Sequence, residues 1–249
     1  MTSGLFYDVI DGGGGVIEEI GKRFEAYAEL AFLHLAPEFE IQREFSYKTK
    51  LGERKSSDLM ILDDNRKVSH LIECKANRLS RVARFGDFQP DDRGYLDMIK
   101  GVTQIWRFVA DVRAGLTDCE IAASPIGGIL TLDSWFVAAP KRQNTVIEKA
   151  REICDSKYPE VAVADQIPIA FLYMSEFERG MAMGQARSLL DTFAFLATSE
   201  GRGYQFDIAM RRDGEKFGPT REFPFEDYLN ELLPWWRNLA KLREESDNP

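Results

Sequence analysis

The 249 residues suffice for one large α/β domain or for a core with an appended piece, and 44% hydrophobic with 29% charged residues is the balance of a soluble globular protein. No apolar run approaches the roughly 20 residues of a membrane helix, and Met1-Thr2-Ser3-Gly4 lacks a basic or apolar signal region, so the expectation is a cytoplasmic chain with no membrane partner. Cys74, Cys119 and Cys154 form no CxxC pair, which argues against a zinc site or disulfide frame; His34 and His70 alone leave histidine-based hydrolytic schemes little to draw on; and a net charge of −9 counts against casual nucleic-acid binding without forbidding a local basic surface.

Residues 1–15 read as a flexible tail ending in Asp11-Gly12-Gly13-Gly14-Gly15. The glycines fit a linker or helix entry. A phosphate-cradling loop is the alternative, but Gly21-Lys22 is followed by Arg23 rather than Ser or Thr. Over residues 16–35, Ile17, Ile20, Phe24, Tyr27, Ala28, Ala31 and Leu35 recur at helical spacing, and Pro37 ends the helix. Glu18, Lys22, Glu25 and Glu29 fall on a neighbouring polar face. Phe39–Tyr47 reads as one strand, followed by a turn at Gly52 with Lys48, Lys50, Arg54 and Lys55 around it. That cluster is either a phosphate-contacting surface or a lysine-rich edge that blocks strand addition.

The next stretch carries the chemistry. Asp58-Leu59-Met60-Ile61-Leu62 and Val68-Ser69-His70-Leu71-Ile72-Glu73-Cys74-Lys75 flank a polar break at 63–67, the pattern of a β-hairpin. Strand alternation puts Ser69, Leu71, Glu73 and Lys75 on one face. Val68, His70, Ile72 and Cys74 take the other, which is expected to face the core. Asp58 opens the partner strand, so the hairpin can bring its carboxylate near Glu73. Two carboxylates and an ammonium at one strand end suit a hard divalent cation and a phosphoryl group.

The pattern Asp58-x14-Glu73-x-Lys75 resembles the PD-(D/E)xK nuclease superfamily, with its restriction-endonuclease-like fold. Ser57 stands where that motif often has proline, which is not a ligand. The resemblance implies a nuclease dependent on Mg²⁺ or Mn²⁺ that hydrolyses phosphodiester bonds of nucleic acid, DNA being the first expectation. It implies Asp58 and Glu73 as metal ligands, with the backbone carbonyl of Cys74, and Lys75 as the residue that positions the attacking water. Gly21-Lys22-Arg23-Phe24-Glu25 looks like a helical element that reaches the metal site in relatives, which makes Glu25 auxiliary; a solvated helix face explains it equally well. A role in prokaryotic defence or DNA processing is an expectation at the level of the fold alone.

Arg78, Arg81 and Arg84 punctuate a polar stretch up to Arg93, and Arg81 and Arg84 join the candidate substrate contacts. Residues 94–113 give a second helix with an apolar stripe from Tyr95 to Val112. The resemblance makes Gln104, and secondarily Lys100, the helix residue that contacts the nucleophile or substrate. Beyond it, strands are expected near 120–123 and 129–139 with Gly127-Gly128 between them, a helix over 145–157, a strand over 167–174, a helix over 184–198, a strand over 204–210 and a last helix over 225–242. Trp235 and Trp236 in that last helix are core, interface or a base-stacking platform. The fold class is therefore α/β, a mixed central sheet flanked by helices. Residues 16–140 form the nuclease-like core, and 141–249 continue that domain or extend it. Two rivals stay open. One is an inactive nuclease-fold binding or scaffold module within a larger complex, as a homodimer or with a protein partner. The other is an enzyme whose site lies around the glycine run.

Overall fold

The computed structural model describes residues 14–50, 52–76, 92–132, 134, 139–184, 186–212 and 221. Helix α1 (Gly14–Leu35) leads into strands β1 (Glu40–Arg43), β2 (Ser46–Thr49), β3 (Gly52–Lys55), β4 (Leu59–Leu62) and β5 (Val68–Lys75). Helix α2 (Arg93–Arg113), β6 (Ile121–Thr131), α3 (Pro140–Lys157), β7 (Ile169–Tyr173), α4 (Met174–Met183), α5 (Ala186–Leu196) and α6 (Phe206–Met210) follow. Five strands form one mixed sheet in the order β1-β4-β5-β6-β7. The pairs β1–β4 and β4–β5 are antiparallel, whereas β5–β6 and β6–β7 are parallel. The parallel strands are joined through α2 and α3, as parallel neighbours require a crossover.

The sheet is covered on both faces. On one, Met60, Leu71, Ile129, Ile169 and Phe171 meet the buried stripes of α2 and α3. On the other, Leu59, Ile61, Ile72, Leu130 and Leu172 meet Phe24, Ala28 and Phe32 of α1 and Phe177, Phe193 and Phe206 of the later helices. The expectation that only the His70–Cys74 face of β5 is core is thereby corrected. Leu71 and Glu73 are buried as well, because the crossover helices cover a parallel sheet's second face. Helix α2 starts where the Asp92 side chain accepts from the Gly94 amide, and it is fixed to the β7 end of the sheet where Trp106 Nε1 donates to the Ile167 carbonyl at 2.9 Å.

Several segments differ from the reading of the sequence: Met174–Met183 is a helix with no counterpart there, and Gly52–Lys55 is a strand where the sequence reads as a turn. Phe39–Tyr47 is two strands, not one: β1 joins the main sheet beside β4, while β2 pairs only with β3 in a separate two-stranded ribbon. Residues 121–131 are a single strand through Gly127-Gly128. These glycines make room rather than a turn: a Cβ on Gly127 would lie 2.4 Å from Ile169 Cδ1, and one on Gly128 2.3 Å from Phe193 Cζ. The third helix begins at Pro140, a favoured residue for a first helical turn, instead of at Thr145. Residues 206–210 are helical, with Phe206, Ala209 and Met210 buried at i, i+3 and i+4 while Tyr204 and Ile208 are exposed. The buried Glu176 carboxylate accepts the Phe206 amide and fixes that short helix. The helix expected over 225–242, with Trp235 and Trp236, and the glycine run through Gly13 lie outside the described residues. After residue 140 the chain still contributes β7 to the same sheet.

Opposite outcomes are expected at two glycines. Gly128→Ala should lose about 1–3 kcal/mol, because the new methyl group overpacks against Phe193. Gly21→Ala in α1 meets nothing within 4 Å and should gain about 0.5–1 kcal/mol. Urea unfolding of both variants checks the pair of signs.

Candidate active site

The hairpin of β4 and β5 positions the first three groups. Leu59 pairs with Ile72, which places Asp58 across from Glu73 at the end of the ladder. Asp58 is tied down by its main-chain neighbour: its Oδ2 accepts the Cys74 amide at 2.7 Å. Strand alternation brings Lys75 to the same face as Glu73, and its Nζ donates to Glu73 Oε2 at 2.9 Å. The same Nζ reaches Gln104 Oε1 on α2 at 3.5 Å. Asp58, Glu73, Lys75 and Gln104 are thus brought together at one place, where α2 crosses the end of β5.

Burial sets the electrostatics. Glu73 is 1% exposed, and burial pushes its carboxyl up to about 8, against the opposite pull of Lys75 and with Asp58 adding to the rise. Asp58 is also raised by burial, with Lys75 and the Cys74 amide opposing. Glu25 is raised by burial and then by Asp58 and Glu44, so its carboxylate stands within the field of the site on the α1 side. Burial acts to lower Lys75, but Glu73 and Asp58 outweigh it and hold the amine as an ammonium. The carboxylates therefore outnumber the ammonium around which they gather. Among the described residues no three His, Cys, Asp or Glu side chains form a complete ligand set. Asp58 and Glu73 would supply two oxygens to a hard cation, which takes its remaining ligands from water and substrate phosphate.

The other candidates fall into distinct environments. The Cys74 thiol packs on the opposite face with Ile72, and burial pushes it well above its ordinary value, so only the main chain of Cys74 serves the site. Lys55 pairs with Glu44 at 2.7 Å and feels both Glu25 and Asp58, so it lies at the rim. Lys48 and Lys50 are exposed on the β2–β3 ribbon, and Lys100 is exposed on α2. Arg54 points inward instead. Its guanidinium donates to both Asp111 oxygens at 2.9 Å and to Glu160 at 3.1 Å, and Tyr47 donates to the same Asp111 at 2.7 Å. This network clamps the ribbon to α2 and commits Arg54 to the fold. Glu29 pairs with Arg43 across α1 and β1. Arg81 and Arg84 lie outside the described residues.

A cleft of about 430 Å³ adjoins Gln104, lined by Tyr47, Arg54, Lys55, Arg107 and Phe108. The clamp and the packing of Gly101, where a Cβ would lie 2.9 Å from Lys75 Cε, lie beyond the pattern of the sequence. The clamp pairs residues 57 and 106 positions apart. Gly101 does leave a signal, being a lone glycine inside a strong helical pattern, which usually has a packing reason. No protein-family model, curated protein or solved structure matches the chain.

Glu73→Gln tests the electrostatics without reference to activity. A carboxyl whose folded pKa lies above its ordinary 4.5 costs stability as pH rises from that value to about 8, because the unfolded chain ionises first. The variant should match wild type near pH 5 and exceed it by roughly 1–3 kcal/mol near pH 8.5. Urea midpoints across that range are the check; a constant gap, or one of opposite sign, would show that Glu73 is ionised throughout.

Proposed function

We propose that the protein is a metal-dependent nuclease with a restriction-endonuclease-like core, hydrolysing phosphodiester bonds of nucleic acid, DNA first. The reading is carried by one observation: Asp58, Glu73 and Lys75 converge at the end of a central hairpin, with Lys75 bonded to Glu73 and reaching Gln104. Its support is chemical. Buried carboxylates in excess over their ammonium suit Mg²⁺ or Mn²⁺, held by Asp58, Glu73 and the Cys74 carbonyl. When bound, such an ion polarises a phosphoryl oxygen and lowers the pKa of a coordinated water.

The chain's own groups have separable tasks in this reading. Asp58, anchored on the Cys74 amide, keeps its carboxylate fixed without a search through rotamers. Lys75, held protonated, donates hydrogen bonds and offsets the negative charge that grows on the phosphoryl oxygens in the transition state. It thus orients the attacking water as a donor and does not take its proton. Gln104 fixes the ammonium from the helix side. Glu25 is an auxiliary carboxylate at the rim. Lys48, Lys50 and Lys55 meet the phosphate backbone beside the site.

Three measurements bear on this. Mn²⁺ should raise the melting temperature of the wild type, since a ligand of the folded state stabilises it, and Asp58→Ala should abolish that rise. Lys75→Ala should keep the Mn²⁺ response yet cut DNA roughly 10²–10³-fold more slowly, the loss of one donor aimed at developing charge, while Cys74→Ala, whose thiol lies across the sheet, cuts at nearly the wild-type rate. A wild type that cleaves neither DNA nor RNA with Mn²⁺ would favour a binding module instead. Reversing the charge of Lys48 and Lys50 should weaken DNA binding and flatten its salt dependence by roughly one counterion per lost phosphate contact. An unchanged slope in filter binding would assign both lysines to solvent.

A further inference from the structure

Gly101 occupies a buried position in the middle of α2, directly over the site. Its backbone does not call for glycine: it is helical, and the described glycines with positive φ are Gly52, Gly115 and Gly203. A glycine there weakens the helix relative to alanine. What it provides is space of a particular shape. A Cβ at this position would lie 2.9 Å from Lys75 Cε, 2.9 Å from Ile129 Cδ1 and 3.7 Å from Glu73 Cβ. The Lys75 stem therefore runs through the gap left by the missing side chain, and beyond that gap its ammonium meets Glu73 and Gln104.

We propose that Gly101 is a positioning residue that seats the Lys75 ammonium between Glu73 and Gln104. A methyl group here displaces the Lys75 stem, because the other face of the gap is closed by Ile129 of the central strand β6. The flexible lysine is the neighbour that can yield, and yielding carries its charge away from Glu73. The catalytic consequence rests on the nuclease reading; the seating does not.

The packing and positioning roles separate through Ile129. Ile129→Val removes Cδ1, one of the two atoms that a new methyl would strike, and leaves the Lys75 contact. The comparison is Gly101→Ala/Ile129→Val against Ile129→Val alone, in the full chain. Crystal structures of the metal-free proteins should show the Lys75 Nζ–Glu73 Oε2 distance, 2.9 Å in the wild type, lengthened beyond hydrogen-bonding range in the double variant, with the backbone otherwise retained. Cleavage with Mn²⁺ should lose on the order of 10² in kcat with little change in KM, the effect of a displacement of about 1 Å at the reacting centre. An unmoved Lys75 ammonium would reduce Gly101 to a packing residue. If wild type cleaves nothing while the ammonium still moves, the nuclease reading falls and the seating stands. Should the double variant unfold, Lys75→Ala is added both to it and to Ile129→Val, and the urea midpoints of these two proteins are compared. Without the lysine the chain carrying Gly101→Ala should fold again with the midpoint of its partner; a chain that stays unfolded would overturn the proposal.

Discussion

The close approach of α2 to the end of β5 governs the site. It buries Glu73, and in doing so it denies a carboxylate the water that would stabilise its charge. A single ammonium, threaded beside Gly101, is the nearest compensation, and it must also answer to Asp58. An arrangement with more buried carboxylate than cation is costly to maintain. Such surpluses are characteristic of sites where a ligand completes the charge balance. The rest of the fold serves that approach. Parallel strands require the α2 crossover, glycines in β6 let helices close on the sheet from both faces, and the Tyr47–Asp111–Arg54 clamp sets the ribbon against the same helix.

How much of this was legible in the sequence depended on range. The hairpin and the shared face of Glu73 and Lys75 follow from strand alternation over a few residues, and the structure has both. The α1 and α2 stripes follow from helical spacing: Phe24, Ala28, Ala31 and Leu35 of the first and the stripe from Tyr95 to Val109 of the second are buried, while Ile20, Tyr27 and Val112 are half-buried. Burial of the Glu73 face was not legible from the alternation in β5, because it depends on what a crossover helix covers. The unbroken apolar run Leu59–Leu62 in β4, buried on both sides, was the available hint.

Errors arose where one residue type serves two purposes. Gly127-Gly128 has the composition of a turn, yet its partners Ile169 and Phe193 are remote in sequence and turn the pair into a packing slot within a strand. Tyr204, Phe206, Ile208 and Met210 alternate like a strand, but Gly180 admits the Phe206 ring and Glu176 holds its amide, so tertiary contacts make the segment helical. Arg54 sits in a basic run that suggests phosphate, whereas Asp111 and Glu160 claim it from far along the chain. Local charge thus overstated the free basic surface, while the local pattern at Asp58, Glu73 and Lys75 gave their placement correctly.

The central claim is that the carboxylates of Asp58 and Glu73 form a cation site completed by ligand. Anomalous diffraction from crystals soaked in Mn²⁺ addresses it most directly. The account predicts a manganese peak bonded to both carboxylates, absent from identically soaked Asp58→Ala crystals. Saturating Mn²⁺ that leaves no peak there, with Lys75 still the only cation on Glu73, would contradict it.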